Sequence, residues 1–227
     1  MESVVVSLGG SVLIPGDEDS RYLSSLADLI HEASKEYHLY LVCGGGKVAR
    51  YYITEGRALG ASERQLDEMG IMVTRINARL LQLALGGAAA QGMPTSAKEA
   101  AELGRKGGIV VMGGTEPGHT TDAVAAMVAA EIGADRIINA TSVPAAYTKD
   151  PRKHADAVRL QKMTHAELHT LVNKGLHGAG PSDVFDKKGA EIAMGASIPI
   201  LIVAGRDLED LGRAVRGEPF QGTYVGP

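Results

Sequence analysis

Five short apolar runs, three of them ending in a glycine cluster, constrain this chain more than any other feature. They cover residues 4–8, 39–43, 109–112, 136–140 and 199–203. Val and Ile dominate them and polar residues rarely alternate, the pattern of strands covered on both faces of a parallel sheet. Helical periodicity fills the intervals, over residues 19–37, 47–59, 62–85, 96–106, 123–132, 164–172, 186–195 and 207–215. Strands alternating with helices imply right-handed crossovers, so the predicted fold is α/β: a three-layer αβα sandwich around a mainly parallel central sheet. Ser62 with Gln65, and Ser96 with Glu99, read as capping boxes. Residues 86–92 are a glycine- and alanine-rich break, and residues 141–185, rich in Pro, Gly, His and Lys, read as ligand-contacting loops of the same domain, with a variable surface insertion as the alternative.

Composition narrows the possibilities. At 227 residues the chain has the length of one sizeable domain. A net charge of −4 disfavours a nucleic-acid or anionic-membrane partner, while leaving room for a small anionic ligand held by local positive groups. The single Cys43 excludes an intrachain disulfide framework and reads as a core thiol at the end of a strand. Seven histidines without an H-E-x-x-H pairing give no support to a protein-ligated transition metal, and the expected metal ligand set is none. The sequence has no basic segment followed by an apolar leader and no stretch of about 18 apolar residues, so a cytoplasmic location is expected. With 29 glycines grouped mainly at the ends of apolar runs, the loops are expected to approach a ligand closely.

Gly9-Gly10-Ser11, Gly44-Gly45-Gly46 and Gly113-Gly114-Thr115 each follow a strand. Ligands of open α/β sheets bind beyond the carboxyl ends of the strands. No Walker A sequence is present, and none of the clusters is a clean dinucleotide fingerprint. Convergence of three glycine turns on one sheet edge nevertheless suits an extended polyphosphate. The segment from Gly113 to Asp122 ends in Thr120-Thr121-Asp122 before an alanine-rich helix, placing hydroxyls and unpaired N–H groups at the positive end of that helix. Lys47 and Arg50 fall in the first turn of the next helical segment, where cations are unfavourable unless an anion compensates. Asp67 reads either as a ribose-binding carboxylate or as a surface acid, and Asp122 and Asp186 read as helix-capping acids.

The order of these motifs resembles the amino-acid kinase superfamily, and within it the archaeal type of uridylate (UMP) kinase, over essentially the whole length. The resemblance rests on Leu8-Gly9-Gly10-Ser11-Val12-Leu13, Gly44-Gly45-Gly46-Lys47-Val48-Ala49-Arg50, Asp67-Glu68-Met69-Gly70-Ile71, Thr74-Arg75-Ile76-Asn77-Ala78, the run Met112 to Ala126, and Tyr147-Thr148-Lys149-Asp150-Pro151. It implies a single domain over residues 1–227, with an acceptor part at roughly 1–135 and an ATP part at roughly 136–227. It implies transfer of the γ-phosphoryl group of ATP to UMP in pyrimidine nucleotide biosynthesis, with Mg²⁺ carried mainly by the nucleotide and a hexamer assembled as a trimer of dimers. Ser7, Leu8, Gly9, Gly10, Ser11, Gly45 and Arg50 would surround the ATP phosphates, and Thr141, Tyr147 and Asp150 the adenosine. Gly44, Asp67, Gly114, Thr115, Glu116, Pro117, Gly118, His119 and Thr120 would hold UMP. Asp186 matches a family aspartate that organises catalytic lysines and the metal.

Two positions leave the family pattern. Ser7 stands where many superfamily kinases carry a lysine, and Val143-Pro144-Ala145-Ala146-Tyr147 stands where V-D-G-V-Y is usual. Lys47, with Mg²⁺, is expected to supply the charge missing at Ser7, because phosphoryl transfer asks the protein chiefly for positioning and positive charge. The mechanism expected is in-line transfer without a covalent enzyme intermediate. The alternatives are another small-molecule kinase of the same fold and a non-catalytic nucleotide- or oxyanion-binding module. The absence of histidine between Gly44 and Arg50 disfavours an isopentenyl phosphate kinase.

Overall fold

The computed structural model describes residues 1–16, 19–149, 154–173 and 184–227. Strands β1 (Glu2–Leu8), β2 (Tyr37–Cys43), β3 (Val110–Met112) and β4 (Arg136–Thr141) form one half of a seven-stranded sheet. Strands β7 (Lys162–Thr164), β8 (Ile200–Ala204) and β9 (Gly222–Gly226) complete it, in the order β3-β2-β1-β4-β8-β9-β7. All pairings are parallel except β8 with β9. A separate two-stranded hairpin joins β5 (Ala146–Tyr147) to β6 (Arg159–Leu160).

The helices are α1 (Gly10–Leu13), α2 (Asp19–Ala33), α3 (Gly46–Ala58), α4 (Glu63–Leu85), α5 (Ala97–Gly104), α6 (Thr121–Ile132), α7 (His165–Asn173), α8 (Lys187–Gly195) and α9 (Leu208–Arg216). Strand alternation assigns the layers. Val4, Val6 and Leu8 of β1 point into a core shared with α2, α4 and α9, whereas Val5 points to the opposite core, built with α6 and α8. From Val4 to Leu8 both faces of β1 are buried, which is why that run does not alternate. Ala123, Val124, Ala125, Ala126, Val128 and Ala129 of α6 are all buried. Small side chains on several faces let this helix lie against the sheet and against α5 and α8 together.

The three-layer α/β architecture is the one expected, with several local differences. The 19–37 helix ends at Ala33, and Tyr37 instead opens β2 in register with Glu2. Residues 86–92 contain a short 3-10 turn (Gly86–Ala88), followed by a lone parallel bridge from Ala89 to Ile109 at the sheet edge. Ser62 and Gln65 form the full reciprocal capping box. At Ser96 only half of it forms, because the Glu99 carboxylate turns to the Thr95 N–H and hydroxyl. Cys43 is completely buried and burial pushes its thiol pKa up, as befits a core residue. No helix among the described residues is long and apolar enough to cross a membrane.

Candidate active site

The turns after β1 and β2 interlock. A Cβ at Gly10 would lie 2.1 Å from the Gly46 nitrogen and 2.6 Å from the Gly44 carbonyl carbon, so only glycine permits this approach. The Gly44 N–H donates to the Leu8 carbonyl at 2.8 Å and the Gly9 N–H to the Ala140 carbonyl at 3.0 Å, tying the ends of β1, β2 and β4 into one corner. Gly46 itself has φ +63, which turns the chain directly into α3. Arg50, one turn into α3, reaches back to the Ser11 hydroxyl at 3.1 Å. Lys47 lies exposed at the start of the same helix. Five of the sequence-predicted donor-side residues thus meet within one pair of turns: Gly9, Gly10, Ser11, Gly45 and Arg50.

Helix α4 holds the segment from Gly114 to Thr120, where the acceptor was expected. Asp67 accepts the Gly118 N–H at 2.8 Å. Thr74 accepts the Gly114 N–H at 2.7 Å while donating to the Ile71 carbonyl of its own helix. The Arg75 guanidinium donates to the Gly114 and Thr115 carbonyls at 3.2 and 3.1 Å. Asn77 donates to the Gly44 carbonyl at 2.7 Å, so one helix clamps both the second and third glycine turns. Asp67 was legible as a candidate; the roles of Thr74, Arg75 and Asn77 were not. The available signal was the spacing of Thr74, Asn77, Ala78 and Leu81, which puts two polar residues on the buried face of the helix.

At the far end of the segment Thr120, not Asp122, caps α6, accepting the Ala123 N–H at 3.1 Å. Asp122 instead accepts the Ser7 hydroxyl at 2.7 Å. Ser7 is 1% exposed and its proton is committed to that bond, so its hydroxyl acts by positioning Asp122. Asp186 is an N-cap as read, accepting the Gly189 N–H at 2.7 Å, and its second oxygen takes the Ala123 N–H at 3.0 Å. That second bond docks α8 onto the first turn of α6. Lys188 of α8 meets His119 Nε2. His119 Nδ1 is buried 3.4 Å from Glu116 Oε1, and among the described residues neither it nor the buried Thr115 hydroxyl has a hydrogen-bond partner. Buried polar atoms left open are costly, so these two are groups a ligand would satisfy.

On the adenosine side, Thr141 closes β4 and its carbonyl accepts the Gly205 N–H at 2.8 Å. Tyr147 is half-buried on the β5–β6 hairpin, opposite Arg159. Thr223 of β9 fastens that hairpin by accepting the Ala146 N–H and donating to the Leu160 carbonyl. Asp150 lies outside the described residues. The Gly10–Gly46 corner and the 114–120 segment thus lie along one carboxyl edge of the sheet.

A family model described as the amino acid kinase family matches residues 2–204. Among curated relatives, the uridylate kinase of Methanoculleus marisnigri is 43% identical over 225 residues, covering 99% of this chain and 96% of the relative. That of Thermoplasma volcanium is 44% identical over 224 residues, covering 99% and 97%. Among solved structures, uridylate kinase from Archaeoglobus fulgidus superposes with a TM-score of 0.88 at 40% identity, covering all of both chains. UMP kinase from Bacillus anthracis gives a TM-score of 0.81 at 20% identity, covering 99% of this chain and 96% of that one, a likeness of fold.

Proposed function

The chain belongs to the amino acid kinase family, and we propose that it transfers the γ-phosphoryl group of ATP to the phosphate of UMP, giving UDP and ADP. What supports this reading is the proximity of two structures that α4 ties together: the interlocked glycine corner with Arg50, and the 114–120 segment, whose Thr115 hydroxyl and His119 Nδ1 have no hydrogen-bond partner among the described residues. Full-length similarity to uridylate kinases supports the choice of acceptor.

In this reading Ser7 to Ser11, Gly45 and Arg50 serve the ATP phosphates, Thr141, Tyr147 and Asp150 the adenosine, and Gly44, Asp67 and the run from Gly114 to Thr120 the UMP. Asp67 spends one oxygen on the Gly118 N–H and keeps acceptor capacity for a ribose hydroxyl. The UMP phosphate is already an anion at neutral pH, so the protein needs no general base. Glycine-turn N–H groups, the α6 N-terminus, Lys47 and Arg50 offset repulsion between the two substrates. Among the described residues no cluster of three potential ligands exists. A magnesium ion bound mainly through nucleotide phosphates suits that donor set, with Asp122 and Asp186 the carboxylates at this end of the sheet. When bound it would neutralise phosphate charge and orient the donor.

Self-association is part of the proposal. Met72, Ile76, Leu80 and Leu83 form an exposed apolar stripe along α4, beside Val48, Tyr51 and Tyr52 of α3. Such a patch suits burial against a second copy, as the first step towards a hexamer.

The decisive assay supplies purified protein with ATP and Mg²⁺ and offers UMP and CMP in parallel. UDP and ADP are expected from UMP, with far slower turnover of CMP. Nucleotide binding without UDP formation would favour a non-catalytic module and overturn the proposal.

A further inference from the structure

Resting on that reading, we propose that Lys188 is a catalytic residue: its ammonium, together with His119, holds the phosphoryl oxygens on the acceptor side of the transfer. Sequence reasoning did not single it out. The structure separates the pair. Lys187 lies 3.8 Å from Glu191 on the helix surface. Lys188 has no carboxylate partner among the described residues; it is directed onto His119 Nε2, inside the acceptor segment.

That placement is built by the packing around it. Asp186, two residues earlier, bonds the Ala123 N–H at 3.0 Å. A Cβ on Gly189, the next residue, would lie 3.1 Å from the Asp122 carbonyl oxygen, so α8 approaches α6 as closely as a glycine allows. Lys188 is therefore fixed on the rim where α6 begins. A lysine ammonium has only donors, so His119 Nε2 accepts, and neutral His119 carries its proton on Nδ1. Nδ1–H then faces Glu116 Oε1 at 3.4 Å without forming a hydrogen bond, and neither it nor the buried Thr115 hydroxyl has a hydrogen-bond partner among the described residues. Two donors in the 115–119 segment and one charged donor brought up from α8 match a phosphate that must accept a further phosphoryl group.

The chemistry also requires such a group. An oxygen of the UMP phosphate forms a bond to the γ-phosphorus, and the bond from that phosphorus to the bridging oxygen breaks, leaving its electron pair on ADP; no proton need move. Negative charge concentrates between two polyanions, and the position on β1 that could have supplied a lysine holds Ser7, committed to Asp122. Lys47 and Arg50 approach from the donor corner on α3. Lys188 supplies the matching cation from the acceptor side.

The test compares Lys188→Ala, Lys188→Arg and the control Lys187→Ala in steady-state turnover, with UMP and uridine binding measured by calorimetry. Loss of one preorganised charged donor should lower kcat/KM for UMP by about 100-fold or more. Lys188→Arg should recover part of that loss and Lys187→Ala should stay close to wild type. The preference for UMP over uridine should shrink in Lys188→Ala while uridine affinity holds, an outcome that a merely structural role would not produce. A Lys188→Ala enzyme within threefold of wild type, or one losing uridine and UMP affinity equally, overturns the inference. If the wild-type protein makes no UDP, the kinase reading fails; the UMP-against-uridine comparison still decides whether Lys188 holds a phosphate.

Discussion

Asn77 illustrates how a single side chain sets the site. It is 5% exposed in the middle of α4, and its amide donates to the Gly44 carbonyl at 2.7 Å. Asn77→Ala leaves that carbonyl unpaired in a buried turn, at a cost of about 1–3 kcal/mol. The turn it anchors also meets Gly10, so the variant should show a lower Tm together with raised KM values for both UMP and ATP. A variant with altered stability but unchanged KM values would show that the turn holds its shape without Asn77. Residues of this kind were the least legible from sequence. The glycines at 9–10, 44–46 and 113–114 announced themselves by following strands. Thr74, Arg75 and Asn77 bond to loops 32 to 40 residues away in sequence, and nothing local marks a polar helix residue as a long-range clamp. Ser7 is a different case: the missing lysine was legible at that position, but the hydrogen bond by which Ser7 holds Asp122, 115 residues away, was not.

At the scale of elements, legibility followed length and burial. β1 and β2, seven residues each, declared themselves through unbroken apolar runs. β5, β6 and β7 contain only two or three residues each, and β9 reads Gly-Thr-Tyr-Val-Gly, so none has a periodicity to detect. They exist because β8 offers an unpaired edge and Thr223, fully buried, ties the hairpin to β9. Helix α4 shows the opposite case, an element strongly predicted whose two faces do different work. One face clamps the glycine turns; the other exposes Ile76 at 67% and Leu83 at 64%. Replacing Ile76 by Glu places a charge in the middle of that stripe without touching the clamp. The variant should remain folded by circular dichroism and shift to a smaller species in light scattering. An unchanged mass would place the self-association surface elsewhere.

Over the whole molecule, stability should depend on pH in a definite direction. His165, 5% exposed at the start of α7, has no hydrogen-bond partner for either ring nitrogen among the described residues, and burial pulls its pKa below the ordinary 6.5. The unfolded chain therefore binds a proton more readily than the folded one. Stability is fully present above about 6.5 and declines as pH falls from there towards the lower folded value. A His165→Leu variant should lose less Tm between neutral pH and pH 5 than the wild type does; parallel curves would show that other groups govern the acid limb.

The insertion of β9 between β8 and β7 also bears on how the protein comes into being. Lys162 pairs with Tyr224 and Thr164 with Gly226, so β7 has no strand neighbour among the described residues until β9 arrives. On a ribosome, β1, β2, β3 and β4 can pair with one another as they emerge, and β8 adds to β4 in turn. β7, translated before β8, must wait as an open edge while α7, α8 and α9 are made. The β1–β4 side of the sheet can thus pack early, whereas the β8-β9-β7 side is sealed only once the last strand has been made, so the order of synthesis and the order of strands in the sheet part company at β7.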